Sequence, residues 1–206
     1  MTRLLLVRHG EVEGIRPPRF RGRAELPLTE RGRRQAAAAG KRIANTWAVS
    51  QVYTSPMDRC VETARAITDG NGLEPDVLEG LIDLDYGAWQ SKSFDEVRAA
   101  EPAAFAAWFR APETVRFPGG DSLQDLIART GEALRRVRRQ HPEDTVALVG
   151  HDSSLRALLL QVLWMPLHAY WRLELSPCGI SEVEVDDDGA RVLRVNDTAH
   201  LDGLKG

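Results

Sequence analysis

Two apolar runs, each ending in a histidine, constrain this chain more than any other feature. Leu4-Leu5-Leu6-Val7 leads into Arg8-His9-Gly10-Glu11, and Thr145-Val146-Ala147-Leu148-Val149 leads into Gly150-His151-Asp152. Neither run alternates polar with apolar residues, so each reads as an interior strand of a parallel sheet, covered on both faces. Open α/β sheets bind ligands beyond the carboxyl ends of their strands, which is where Arg8, His9 and His151 then stand. The helical run from Ser154 to Leu163 adds the unpaired N–H groups of a helix start, which favour an anion. Taken alone, either half also fits a solvated arginine and a histidine bonded to a loop carbonyl. The repetition argues for a site.

Strands and helices alternate through the rest of the chain, without internal repeats. The connection from Gly10 to Leu28 is rich in Gly, Pro and Arg and longer than most, which points to a functional loop. Thr29 caps a helix expected over Glu30 to Asn45, with Glu30 at its start and Lys41-Arg42 near its end, as the helix dipole prefers. A strand at Gln51 to Thr54 precedes Ser55-Pro56, where Pro56 is expected at the first position of a helix ending near Asp69-Gly70. Pro75 to Leu78 reads as a brief strand. Ser93 and Glu96 form a capping box for a short helix to about Ala100, and a second helix from Pro102 carries Phe105, Trp108 and Phe109 as core or lid packing. Ser122 starts a helix to Gln140, which His141 caps. Trp171 to Leu175, Gly179 to Val185 and Ala190 to Val195 read as strands, the last two joined as a hairpin through Asp186 to Gly189. The expected architecture is α/β: a mostly parallel central sheet with helices on both faces, in one domain over residues 1–206.

A chain of 206 residues with 43% hydrophobic content fits one sizeable core. No apolar run suffices for a signal peptide or a bilayer span, so the protein is expected in the cytoplasm, away from membranes. Cys60 and Cys178 stand in unlike contexts and suggest neither a disulfide framework nor a metal cluster. Residues 1 to 60 carry 12 basic and 5 acidic side chains, the remainder 15 and 25. With little aromatic interleaving and a pI near 6.0, that imbalance fits a small anionic substrate better than nucleic acid.

Arg8-His9-Gly10-Glu11, Gly22, Pro27-Leu28-Thr29, Ser55-Pro56 with Arg59, Pro118-Gly119-Gly120-Asp121-Ser122 and Gly150-His151 together resemble the histidine phosphatase superfamily, also called phosphoglycerate mutase-like. The resemblance covers nearly the whole chain in order and is closest to small bacterial phosphatases of the cofactor-dependent mutase branch. It implies a three-layer α/β/α fold with a helical lid over about residues 88–120. It also implies that His9 attacks phosphorus and becomes phosphohistidine, that Arg8, Arg59 and His151 cradle the phosphoryl group, and that Asp83 is general acid and base where relatives have glutamate. Asp85 and Glu11 are reserve acids. Nearby arginines should keep His9 neutral, and a carbonyl should fix its tautomer.

The phosphoryl group's charge lies on its equatorial oxygens, so catalysis is chiefly positioning and charge stabilisation. Asp152, Arg19, Arg21 and Gly22 complete the expected substrate-binding set. The chain departs from the family at Val12, Gly14 and Ile15, where threonine, tryptophan and asparagine are common, and at Gln90-Ser91. His168 and His200 are expected to be structural or superficial. With no close ligand pair, and arginines that would repel a cation, neither a metal nor another cofactor is expected. The lid residues Trp89, Trp108, Arg110 and Arg116 are candidates to recognise a ring or a second anionic group on the substrate. The reading is a hydrolase of small phosphate monoesters; alternatives are phosphoglycerate mutase-type transfer and a non-catalytic binding domain on the same fold.

Overall fold

The computed structural model describes residues 1–13, 15 and 17–204. Expectations concerning Gly14 fall outside them. Along the chain come β1 (Thr2–Arg8), α1 (Glu30–Thr46), β2 (Val49–Thr54), α2 (Asp58–Thr68), β3 (Asp76–Val77), α3 (Phe94–Ala100), α4 (Pro102–Arg110), α5 (Leu123–Gln140), β4 (Thr145–Gly150), α6 (Asp152–Val162), β5 (Ile180–Val185) and β6 (Ala190–Asp197). One six-stranded sheet has the order β3-β2-β4-β1-β5-β6. The strands β3, β2, β4 and β1 are parallel neighbours, and β5 and β6 add an antiparallel edge.

The unalternating runs have the burial a central strand requires. Leu4 and Leu6 of β1 pack with Val146 and Leu148 of β4 and Leu155, Leu158 and Val137 from α6 and α5. Leu5 and Val7 pack on the opposite face with Val52, Ile43 of α1, and Cys60, Ala64 and Ile67 of α2. Each fully buried Leu or Val stabilises the fold by about 1.5–3 kcal/mol, so β1 and β4 anchor both layers at once.

Local signals act as expected at several ends. Thr29 Oγ1 accepts from the Gly32 N–H at 3.0 Å, and capping boxes open α3 at Ser93 and α5 at Ser122. The helices α3 and α4 are fastened by aromatic contacts: Phe20 to Phe94 at 4.6 Å between centroids, Trp108 to Phe117 at 5.0 Å and Phe109 to Trp171 at 4.9 Å. Each such pair contributes about 0.5–1.5 kcal/mol beyond its burial.

Two expected elements differ. Trp171 to Leu175 is not a strand: residues Leu167–Arg172 form a 3-10 helix and the chain then runs on without a ladder. The flank of β1 is already filled by β5, and the segment is pinned elsewhere, with the Trp171 indole N–H donating to the Trp108 carbonyl at 2.7 Å. Pro56 does not begin α2, which starts at Asp58 after Met57. The Ser55 N–H still donates to the Val149 carbonyl at 2.9 Å, so the extended backbone continues one residue beyond β2 and delays the helix.

Candidate active site

Arg8 pairs with Gly150 in the β1–β4 register, so His9 and His151 leave neighbouring strands at the same level. The His9 N–H donates to the Gly150 carbonyl at 2.9 Å, and the two imidazoles meet edge to face, 5.2 Å between centroids. They are 2% and 1% exposed. His9 Nδ1 lies 2.7 Å from the Gly10 carbonyl. A carbonyl only accepts, so Nδ1 carries the proton and Nε2 keeps its lone pair. Burial, then Arg59, His151 and Arg8, hold this ring's pKa well below the ordinary histidine value. Burial, then Arg59, Arg8 and Arg21, do the same to His151. Its Nδ1 lies 3.4 Å from Asp83 Oδ2 and its Nε2 is hydrogen-bonded with Ser55 Oγ at 2.8 Å.

A backbone contact sets the turn after His9. A Cβ on Gly10 would stand 2.5 Å from the Gly32 carbonyl oxygen, and one on Gly32 would stand 2.2 Å from that of Glu11. Only glycine at both places lets the start of α1 back the loop that aims His9.

The histidines adjoin a cavity of about 530 Å³, whose wall includes Arg8, His9, Ile15, Arg21, Gly22, Asp83, Asp152, Ser153, Arg156 and Trp171. Asp83 is 8% exposed. Its backbone carbonyl accepts from Arg129 at 2.9 Å and Arg23 at 3.2 Å. Both arginines also reach Asp121, at 2.9 and 3.1 Å, and Asp121 Oδ2 accepts the Asp85 N–H at 3.0 Å. The Gly-Gly-Asp stretch thus holds the segment that presents Asp83.

A family model described as "Histidine phosphatase superfamily (branch 1)" matches residues 4–198. The chain belongs to the histidine phosphatase superfamily. It is 30% identical over 201 residues to Phosphoserine phosphatase 1 of Hydrogenobacter thermophilus, covering 98% of this chain and 95% of that one. To the Probable phosphoglycerate mutase GpmB of Enterobacter sp. it is 30% identical over 207 residues, 98% of this chain and 96% of that one. The solved structure of Bacillus stearothermophilus YhfR superposes with a TM-score of 0.92 at 30% identity, covering 98% of this chain and 100% of that one.

In this histidine phosphatase the expected site residues fall into three positions. Arg8, His9, Asp83, Asp152, Arg21 and Gly22 line the cavity. Burial lowers the Arg21 pKa from the ordinary arginine value, and Arg8 adds to the effect. Gly22 has φ +48°, and a Cβ there would meet the Leu84 carbonyl oxygen at 2.9 Å. His151 and Arg59 stand directly behind the wall. Arg59, expected to grip phosphate oxygens with the start of α2, is 0% exposed; it donates to the carbonyls of Ala24 at 2.8 Å and Gly22 at 2.7 Å and to Asp83 Oδ2 at 3.2 Å. Its guanidinium fixes the arginine loop and the acid while adding positive charge behind His9. Arg19 also lines the cavity, at its exposed edge, where it donates to the Ser91 carbonyl at 2.9 Å and pairs with Glu96 at 3.8 Å.

Geometry separates the three candidate acids. Glu11 faces another cavity, of about 460 Å³, and its carboxylate meets Thr29 Oγ1 at 3.2 Å and Arg31 at 3.8 Å. Asp85 accepts the Gly87 N–H at 2.8 Å and pairs with Arg23 at 3.4 Å, outside the wall of the histidine cavity. Asp83 alone of the three lines it. Ile15 also lines it, an apolar side chain at the position where the family resemblance implies an amide. Gln90 accepts the Arg23 N–H at 3.1 Å, which gives that departure a place in the arginine loop.

The lid arginines do not enter the cavity. Arg116 is bound to Asp125 at 2.8 Å and Arg110 is exposed. The cation overlooked in the sequence is Arg156 of α6, held by Asp152 at 3.1 Å and stacked 4.7 Å over Trp171. The i,i+4 spacing of Asp152 and Arg156 was the readable signal. His168 is exposed, and His200 donates from Nε2 to the Cys178 carbonyl at 3.0 Å. Among the described residues no group of three or more His, Cys, Asp or Glu is arranged to hold a metal.

Proposed function

We propose that this histidine phosphatase hydrolyses small phosphate monoesters through a phosphohistidine at His9. The observation that carries the reading is the free lone pair on Nε2 of a neutral, buried His9, beside Arg8 and Arg21 in one cavity. Nε2 attacks phosphorus in line as the ester P–O bond breaks, and Asp83 gives a proton to the departing oxygen. Water then attacks the phosphohistidine, Asp83 takes a proton from it, and the P–N bond breaks to release inorganic phosphate and neutral His9. One carboxyl group thus serves both steps. Arg8 and Arg21 bind the equatorial oxygens, where the charge of the transferring group resides. Arg59 supplies positive charge, and it and the neutral His151 flank the Asp83 carboxyl.

Charge also shapes the leaving-group end. Arg156 has its Nε on Asp152 and its Nη1 on the Tyr170 carbonyl, which leaves N–H donors for an anionic group on the alcohol. Asp152, Glu174 and Trp171 line the same cavity. These groups suit a small polar metabolite; a polymer or nucleic acid is not the proposed substrate. Two buried free thiols, Cys60 and Cys178, suit a reducing compartment, and we place the activity in the cytoplasm. The likeness to GpmB keeps phosphoglycerate mutase-type transfer as the second reading.

Hydrolysis of p-nitrophenyl phosphate in chelator, beside isomerisation of 3-phosphoglycerate with its bisphosphate primer, tests the choice. Phosphate release should dominate and should be lost in His9→Ala. Rapid isomerisation with negligible phosphate release would favour the mutase, and full activity of His9→Ala would end the phosphohistidine reading.

A further inference from the structure

We infer that Ser153 is the positioning residue for Asp83 and that its hydroxyl reverses its hydrogen bond as Asp83 gains and loses a proton. This rests on the proposal above that Asp83 is the acid and base. Ser153 is the second residue of α6 and is buried. Its Oγ makes a short hydrogen bond to Asp83 Oδ1 and accepts the Leu84 N–H at 3.1 Å. With a backbone donor already on the oxygen, the serine O–H is the proton available to Asp83. Oδ1 also takes the Leu84 N–H, at 2.9 Å, while Oδ2 faces Arg59 at 3.2 Å and His151 Nδ1 at 3.4 Å.

The geometry bears on the aspartate itself. The stem of Asp83 is a single methylene, so its reach is set by the backbone and its orientation by its partners. Oδ2 accepts from the Arg59 guanidinium, which can only donate. Oδ1 faces a group of either polarity, since a hydroxyl has one donor and two acceptor sites. Ser153 donates to Asp83 when it is a carboxylate and accepts from Oδ1–H when it is an acid. Oδ1 therefore keeps a hydrogen-bond partner in both states, which a residue without a hydroxyl would not give it. Both residues line the cavity, into which Asp83 delivers its proton in the proposed reaction. No proton is created or consumed by Ser153: one proton moves from Asp83 to the leaving group, and one returns from the attacking water.

The test compares kcat/KM across phosphomonoesters of rising leaving-group pKa, from p-nitrophenyl to alkyl phosphates, for the wild type, Ser153→Ala, Ser153→Thr, Asp83→Asn and Asp83→Asn/Ser153→Ala. This parameter reports steps through departure of the alcohol, where the acid acts. General acid catalysis is worth about 10²–10⁴-fold, so Ser153→Ala should lower kcat/KM for alkyl phosphates by about ten- to hundredfold and for p-nitrophenyl phosphate by no more than about twofold. Inhibition by inorganic phosphate should stay within about twofold, since Arg8 and Arg21 are untouched, and Ser153→Thr should retain alkyl activity because the hydroxyl remains. The double variant should be no slower than Asp83→Asn, because Ser153 acts through Asp83. An equal loss on every ester, or full additivity with Asp83→Asn, would overturn the inference while leaving Asp83 as the acid. If Asp83→Asn itself has no leaving-group dependence, the acid assignment fails first and Ser153 has nothing to position. Thermal melts identify any variant that has lost the fold, and Ser153→Thr supplies the hydroxyl test independently of Ser153→Ala.

Discussion

Lowering the pH from 7.5 to 5.5 should separate two consequences of burying His9 and His151. In the unfolded chain a histidine titrates near 6.5. In the folded protein both values are lowered, first by burial and then by neighbouring arginines. Below 6.5 the unfolded chain therefore takes up protons that the folded chain refuses, and stability falls as the pH falls. The loss runs from the unfolded value down to the folded ones. For each ring that stays neutral its slope approaches about 1.4 kcal/mol per pH unit, or about 2.8 kcal/mol for the pair. Against a typical total stability of about 5–15 kcal/mol this is large. Half-buried His200 is shifted in the same direction, so the diagnostic quantity is the difference between wild type and His9→Gln. Urea unfolding at pH 7.5, 6.5 and 5.5 should show a steep loss in the wild type and a shallower one in the variant. Over the same interval kcat/KM should not decline with a pKa near 6.5, because the nucleophile is still unprotonated. A flat stability profile, with activity lost at an ordinary histidine pKa, would refute the account of how His9 is kept reactive.

Other consequences are local. Gly10→Ala forces a Cβ against the Gly32 carbonyl and should cost about 1–3 kcal/mol in urea unfolding and most of the phosphatase activity; a change under about 0.5 kcal/mol would show that the loop moves freely. Arg156→Ala removes a charged donor from the leaving-group end and should raise KM about tenfold or more for esters whose alcohol carries a carboxylate, with p-nitrophenyl phosphate changed by about twofold at most. Equal shifts for both substrates would assign Arg156 to packing on Trp171 alone.

The two unalternating runs made the centre of the sheet legible, because only strands buried on both faces use Leu4 to Val7 and Val146 to Val149 in that way. The same reasoning brought His9 and His151 together, and local chemistry found the caps at Thr29, Ser93 and Ser122. The resemblance supplied Asp83, and geometry then separated it from Glu11 and Asp85. Trp171 to Leu175 misled because its period of two is a local property, whereas a strand also needs a free sheet edge. The setting of Arg59 was not legible because a sequence does not show that its Nη groups reach Gly22, Ala24 and Asp83. Ser153 was invisible for a related reason: a serine in a helical start has no spacing signal, and its meaning comes from a residue 70 positions earlier.

The most direct measurement is rapid quenching of the enzyme with a phosphate monoester labelled in the phosphoryl group. The account predicts a protein-bound phosphate that forms within a turnover, is stable to base and labile to acid, maps to His9, and is lost in His9→Ala but accumulates in Asp83→Asn with a good leaving group. Turnover with no phosphoenzyme, or a label on any residue other than His9, would contradict it.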